Sequence, residues 1–217
     1  MSQIKVLHIS TECYPAAKAG GMGDVVGALP LYLPVHNIDA HVIIPKYKTK
    51  WFESRKWKSV YKGQFQFDHE ILEFEIQSPK QNILGFPFFC IDIPGKFDRD
   101  SIYLNEDGVG FSDEPQRNIA FQRAVLEFVL NGEIDYSVLH CHDHMTGLIP
   151  FMLQNCYRFG AINHLKTIFT IHNGAYQGKF GWDQAKYIER GVSNPKKAHF
   201  LLSFFSACTK SRKTKRE

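Results

Sequence analysis

The sequence has no uninterrupted apolar stretch of the ~20 residues that a bilayer-spanning helix requires, which excludes a helical membrane span of ordinary composition. It also lacks the plan of a secretory leader: Lys5 runs directly into a strand-like Val6-Leu7-His8-Ile9, with no small-residue cleavage site. There is no CxxC pair. The five cysteines, Cys13, Cys90, Cys141, Cys156 and Cys208, are odd in number and scattered, which argues against a disulfide framework and for a reducing compartment. Before the C-terminal stretch there is no internal repeat and no low-complexity segment. The expectation is a soluble, cytoplasmic protein with no membrane partner.

An excess of one charge is missing as well. The formal net charge is +4, but Lys210, Arg212, Lys213, Lys215 and Arg216 against Glu217 carry all of it. The remaining body is neutral, so it bears no electrostatic signature of a nucleic-acid binder. What is present is core-forming material. Of the 217 residues 44% are hydrophobic, and 18 Phe and 9 Tyr are among them, enough for a substantial globular core.

Periodicity organises that material. Ile4 to Ser10 reads as a buried strand, followed by a loop through Lys18 and a glycine-opened helix over Gly20–Leu33 with Pro30 inside it. His41 to Pro45 is a second strand. From Tyr61 to Ile93 the pattern suggests strands without intervening helices, a hairpin excursion. Pro115 opens a helix with Ile119, Ala120, Ala124, Val125, Phe128 and Val129 on its apolar face. Then follow a strand over Val138–Cys141, a helix over Gly147–Cys156 and a strand over Lys166–Ile171. Alternation of this kind predicts an α/β fold, Rossmann-like, with a mostly parallel sheet and helices on both faces.

Three polar clusters each follow a strand: Lys18 with Gly20-Gly21, His142-Asp143-His144, and His172-Asn173. In a parallel sheet they converge on the crevice at the carboxyl edge, where ligands bind. A glycine-rich helix start can hold phosphate through free N–H groups, and Lys18 adds a mobile cation. Each cluster has a plainer reading too: a tight turn, a solvated lysine, structural histidines, and Asp143 as the cap of the helix beginning near Thr146.

Two other chemistries fit poorly. Gly21-x-Gly23-x-x-x-Gly27 exceeds the dinucleotide fingerprint by one residue, and Pro45-Lys46 stands where the ribose-binding acid would be. A zinc site from Cys141, His142, His144 and Cys156 would need adjacent strand residues to point the same way. No metal and no cofactor is expected.

Four stretches together resemble one family. KAGGMGDVVGALP (Lys18–Pro30) is similar to the K-x-G-G segment of bacterial-type, ADP-glucose-dependent glycogen and starch synthases. Ile44-Pro45-Lys46-Tyr47 resembles the family's strand end, CHDHMTGLIPFML its H-D-W-H-T-G-L segment, and TIFTIHNGAYQG its T-I-H-N-x-A-Y-Q-G segment. The resemblance implies the N-terminal half of a GT-B glycosyltransferase. It implies transfer of glucose from ADP-glucose to the non-reducing end of an α-1,4-glucan, with retention.

By the same resemblance, His172 and Asp143 are the catalytic candidates, and Lys18, Gly20, Gly21, Asn173 and His144 the substrate-binding ones. His144 stands where the family has Trp, and Met145 where it has His. The expected organisation is a catalytic domain over residues 1–190 and a divergent basic tail over 191–217, disordered or a product of truncation. The second GT-B domain, a partner in catalysis, is expected to be missing. The alternative is an inactive truncated domain that binds glucan, nucleotide or a protein partner.

Overall fold

The computed structural model describes residues 3–188. The expected basic tail, 191–217, lies outside the described residues. One sheet of seven strands organises the fold, in the order β3-β4-β5-β2-β1-β6-β7. Its centre is β1 (Ile4–Ile9), parallel to β2 (Ile38–Pro45) on one side and to β6 (Val138–His142) on the other. Outward from these, β5 (Phe88–Asp92) pairs parallel with β2, and β7 (Lys166–Thr170) parallel with β6. The excursion is a hairpin of β3 (Trp57–Phe67) and β4 (Glu70–Pro79), added antiparallel at the β5 edge. Its two-residue loop, Asp68-His69, starts with Asp68 at φ 56°, the left-handed conformation that such tight connections demand.

The central strands are apolar because both faces are covered. Leu7, Ile9, Val42, Ile43, Ile44, Leu139 and Cys141 are all buried. Between strands, α1 (Gly21–Tyr32) links β1 to β2, and α4 (Ile149–Asn155) links β6 to β7. These crossovers run in opposite directions along the sheet, so right-handed connection requires them on opposite faces. Pro30 does not break α1, which continues to Tyr32 and ends in a 3-10 turn over Leu33–His36. The helix expected over Gly147–Cys156 is shorter: a 3-10 turn over His144–Thr146 precedes α4.

Between β2 and β3 lies one further turn of helix, α2 (Lys50–Glu53). The long helix α3 (Glu114–Asn131) begins at Pro115, as its sequence predicts, but it is buried on more than one face. Every residue from Arg117 to Val129 is buried, because β3, β5, α4 and the 3-10 segments after α4 and at Trp182–Tyr187 all pack on it. Its charged residues are consequently paired inside the fold. Glu127 accepts two hydrogen bonds from the Arg158 guanidinium at 2.9 and 2.7 Å, and Arg123 donates to the carbonyls of Gln66 and Tyr187 at 2.6 and 3.1 Å. Among the described residues no helix is long and apolar enough to cross a membrane.

Candidate functional site

The chain leaves β1 toward β2 on one side, and β6 docks on the other. This reversal opens a crevice at the carboxyl ends of β1 and β6. On the β1 side the chain folds back before α1: Cys13 and Ala17 exchange backbone hydrogen bonds at 2.9 Å. Glu12, buried beneath this loop, holds it from inside. Its Oε2 accepts the N–H groups of Ala19 and Gly20 at 2.7 and 2.9 Å, and its Oε1 accepts the Tyr103 hydroxyl at 2.7 Å. Helix α1 then starts at Gly21, after the N-cap Gly20, with no side chain capping it. A Cβ at Gly20 or Gly21 would meet nothing within 4 Å, so the first turn faces open space. Gly27 is the opposite case, since a Cβ there would stand 2.6 Å from the Tyr14 carbonyl oxygen.

On the β6 side, Asp143 turns sharply out of the strand at φ 58° and ψ 179°, a region that residues with a side chain avoid. Three contacts hold it there. Its N–H donates to the Thr170 carbonyl at 2.9 Å, and its Oδ1 accepts the N–H of His172 at 2.7 Å and of Asn173 at 3.3 Å. The carboxylate thus ties the loop after β7 and does not cap the following turn, where the Thr146 hydroxyl bonds instead to the carbonyls of His142 and Asp143 at 3.0 Å.

These loops enclose a cavity of about 830 Å³. Gly20, Gly21, Asp143, His144, His172 and Asn173 all line it, together with Glu12, Tyr103, Glu114 and Tyr176. Lys18 does not line it. It borders an adjoining recess of about 700 Å³ with Tyr14 and Trp51, and its ammonium lies 2.7 Å from the Asp24 carboxylate. The Lys18 side chain is 43% exposed and that of Asp24 53%, so the pair is solvent-screened and readily exchanged. His144 Nε2 approaches Glu114 Oε1 at 3.3 Å, and this hydrogen bond holds the Glu114 carboxyl below its usual range.

Beneath the cavity lies an unexpected row of imidazoles. Register pairs His8 with His140, and alternation puts His142 on the same face. His8 Nδ1 is 3.2 Å from His142 Nε2, His142 Nδ1 is 2.9 Å from His172 Nε2, and His140 Nε2 is 2.7 Å from the Thr170 hydroxyl. Burial, with smaller repulsion from His140, pushes His8 down to about 3. Burial, followed by repulsion from His140, His8 and His172, pushes His142 down to about 2. Both rings are therefore neutral at neutral pH. Nitrogens of His8, His140 and His142 lie within 4.8 Å of one another, a spacing a metal ion could use. The His140 and His142 rings, however, stack at 4.1 Å and 28°, so their in-plane lone pairs do not converge on one point. The other zinc set, with Cys141, is not brought together this way: Cys141 alternates to the opposite face from His142, and His144 turns to Glu114.

Sequence patterns missed Glu12, Tyr103, Glu114, Tyr176 and His8. Glu12 carried a usable signal, an acidic residue at the carboxyl end of the first strand within reach of the glycine loop. Tyr103 and Glu114 arrive from a long irregular connection whose path no periodicity reveals.

Comparison with known proteins supplies the family. The starch synthase catalytic domain family matches residues 5–207. A glycogen synthase from Flavobacterium johnsoniae is 40% identical over 190 residues, which are 85% of this chain and 38% of that protein. One from Gloeobacter violaceus is 37% identical over 175 residues, covering 81% and 34%. Among solved structures, the catalytic domain of starch synthase IV from Arabidopsis thaliana, bound to ADP and acarbose, superposes with a TM-score of 0.75 at 27% identity, covering 86% of this chain and 37% of that one. The chain thus spans little more than a third of the length of these relatives. With its mostly parallel sheet and the four motifs gathered at the carboxyl edge, the chain belongs to the starch synthase catalytic domain family of glycosyltransferases.

Proposed function

We propose that this chain is the N-terminal, GT-B half of a glycogen synthase, spanning residues 1–190, and that its cavity takes the sugar-diphosphate end of ADP-glucose. In the complete enzyme the glucose would pass, with retention, to the non-reducing end of an α-1,4-glucan. The observation that carries this reading is the start of α1 at Gly21, where the N-cap Gly20 has no side chain to cap it and the first turn is open to a cavity that His172 and Asp143 also line. A helix N-terminus with glycines admits phosphate oxygens to backbone amides. Departure of a diphosphate leaves negative charge there and positive charge on the sugar, and preorganised dipoles aimed at the leaving group lower that barrier.

In this reading Lys18 leaves Asp24 for the diphosphate. His172, Asn173 and His144 meet the sugar, and Asp143 holds their loop in place. Cys13, Cys90 and Cys141 are buried thiols, which supports a reducing, cytoplasmic setting. Calorimetric titration of the chain with ADP-glucose tests the reading. Binding that weakens about tenfold in Lys18→Ala supports it, a loss on the scale of one charge-assisted hydrogen bond. Equal affinity in parent and variant would remove Lys18 from the site.

Coverage of 38% of the Flavobacterium relative favours a second reading for the isolated 217 residues, that of a binding module without turnover. Differential stabilisation needs groups on both sides of the reacting bond, and a GT-B cleft supplies the second side from its other domain. The expectation is no glucosyl transfer to glycogen by the chain alone. Incorporation of labelled glucose that Lys18→Ala abolishes would overturn it.

A further inference from the structure

The chain His8–His142–His172 runs from the centre of the sheet to the cavity wall. A neutral imidazole carries one N–H, so three rings linked through four nitrogens can donate in only two concerted directions. In the first, His8 Nδ1 donates to His142 Nε2 and His142 Nδ1 donates to His172 Nε2, over 3.2 and 2.9 Å. His172 must then carry its proton on Nδ1. In the second direction every donor reverses, and His8 must carry its proton on Nε2.

His8 Nε2 is the atom that separates the two. It is buried and has no hydrogen-bond partner among the described residues. An orphaned buried N–H is among the rarest features of folded proteins, and a bare ring nitrogen leaves no proton unpaired. His8 and His142 are 1% and 0% exposed, so water does not relieve the difference. The third ring in the row, His140, stacks on His142 but gives its Nε2 to Thr170, so it stands beside the relay and not in it.

We propose that His8 and His142 are positioning residues that hold His172 in the Nδ1–H tautomer, with its Nε2 committed to the protein interior. His172, half-buried on the cavity wall, then offers its ligand a hydrogen-bond donor and cannot offer an acceptor. Hydroxyl and phosphate oxygens are the groups that use a donor. This last consequence rests on the sugar-nucleotide reading of the cavity, whereas the tautomer itself does not.

The test is a long-range nitrogen–proton correlation spectrum of the full chain carrying 15N-histidine, at neutral pH and without nucleotide. The expected result is His172 with a protonated Nδ1 and a bare Nε2. In His142→Phe the Nε2–H form, which an imidazole prefers in water, should become dominant, a shift in the tautomer ratio of roughly tenfold or about 1.4 kcal/mol. His8→Asn, whose amide can either donate to or accept from His142 Nε2, removes the bias that the orphaned His8 Nε2 imposes and should move the ratio in the same direction. This second variant carries the test if the first does not fold. His140→Phe should leave the ratio unchanged. A parent His172 protonated on Nε2, or a ratio unaltered in both relay variants, overturns the proposal. Adding ADP-glucose then separates the two ideas: a locked tautomer whose Nδ1 resonance does not respond upholds the relay and counts against the donor reading.

Discussion

The Asp143 carboxylate accepts the backbone N–H of His172 at 2.7 Å, so the loop after β6 holds the loop after β7 directly. Asp143 keeps a conformation that costs about 1–3 kcal/mol to maintain that contact. Asp143→Asn should lower stability by about 1–2 kcal/mol, because a neutral amide oxygen is the weaker acceptor. Urea unfolding gives the loss, and hydrogen exchange at the His172 amide should accelerate beyond it. Unchanged protection at His172 would show that the loop is held elsewhere.

Glu12 performs the matching task on the other wall. Its carboxylate joins the amides of Ala19 and Gly20 to the Tyr103 hydroxyl. Glu12→Ala should destabilise by about 2–4 kcal/mol, since it leaves buried donors unpaired, and Tyr103→Phe by about 1 kcal/mol. The double variant should lose less than the sum, because the two share one bond. Strict additivity in denaturant unfolding would contradict the clasp.

Acid should weaken the fold through the buried imidazoles. His8 and His142 are depressed from 6.5 to about 3 and about 2. Above pH 6.5 neither state takes up their protons, so they cost nothing. Below it the unfolded chain binds protons that the folded one refuses, and stability falls by roughly 1–2 kcal/mol per pH unit for each ring. Urea midpoints measured between pH 7 and 4.5 should decline steadily, and His8→Gln should flatten that decline. A profile level to pH 5 would rule out neutral buried rings.

Gly27 is where α1 touches the loop before it. Gly27→Ala places a methyl 2.6 Å from the Tyr14 carbonyl oxygen, a backbone atom that cannot swing away. The expected cost is about 1–3 kcal/mol. Gly21→Ala meets open space and should have a much smaller effect on thermal unfolding. Equal losses would remove the close approach as the cause.

Much of the scaffold was legible in the sequence, since short apolar runs between helical patterns mark β1, β2, β6 and β7, and Pro115 marks the start of α3. The hairpin excursion was visible as strands without helices. Its place at the β5 edge was not, because pairing between β4 and β5 depends on a long-range register that no local period encodes. The burial of α3 all round was hidden for a related reason: Arg117, Arg123 and Glu127 find their partners only once segments distant in sequence are placed.

At the site, position relative to strand ends singled out Lys18, Gly20, Gly21, His142, Asp143, His144, His172 and Asn173, and the sheet gathers six of them around one cavity, with Lys18 in the adjoining recess and His142 bonded behind His172. The sequence by itself determined which residues reach the carboxyl edge, because strand ends follow from periodicity and a parallel sheet aligns them. Only the tertiary structure decided what each one touches. Lys18 turned to Asp24, Glu12 came up beneath the glycine loop, and His8 met His142 across 134 residues of chain. Hydrogen bonds form between neighbours in space over about 3 Å, and that neighbourhood exists only once strands distant in sequence are paired.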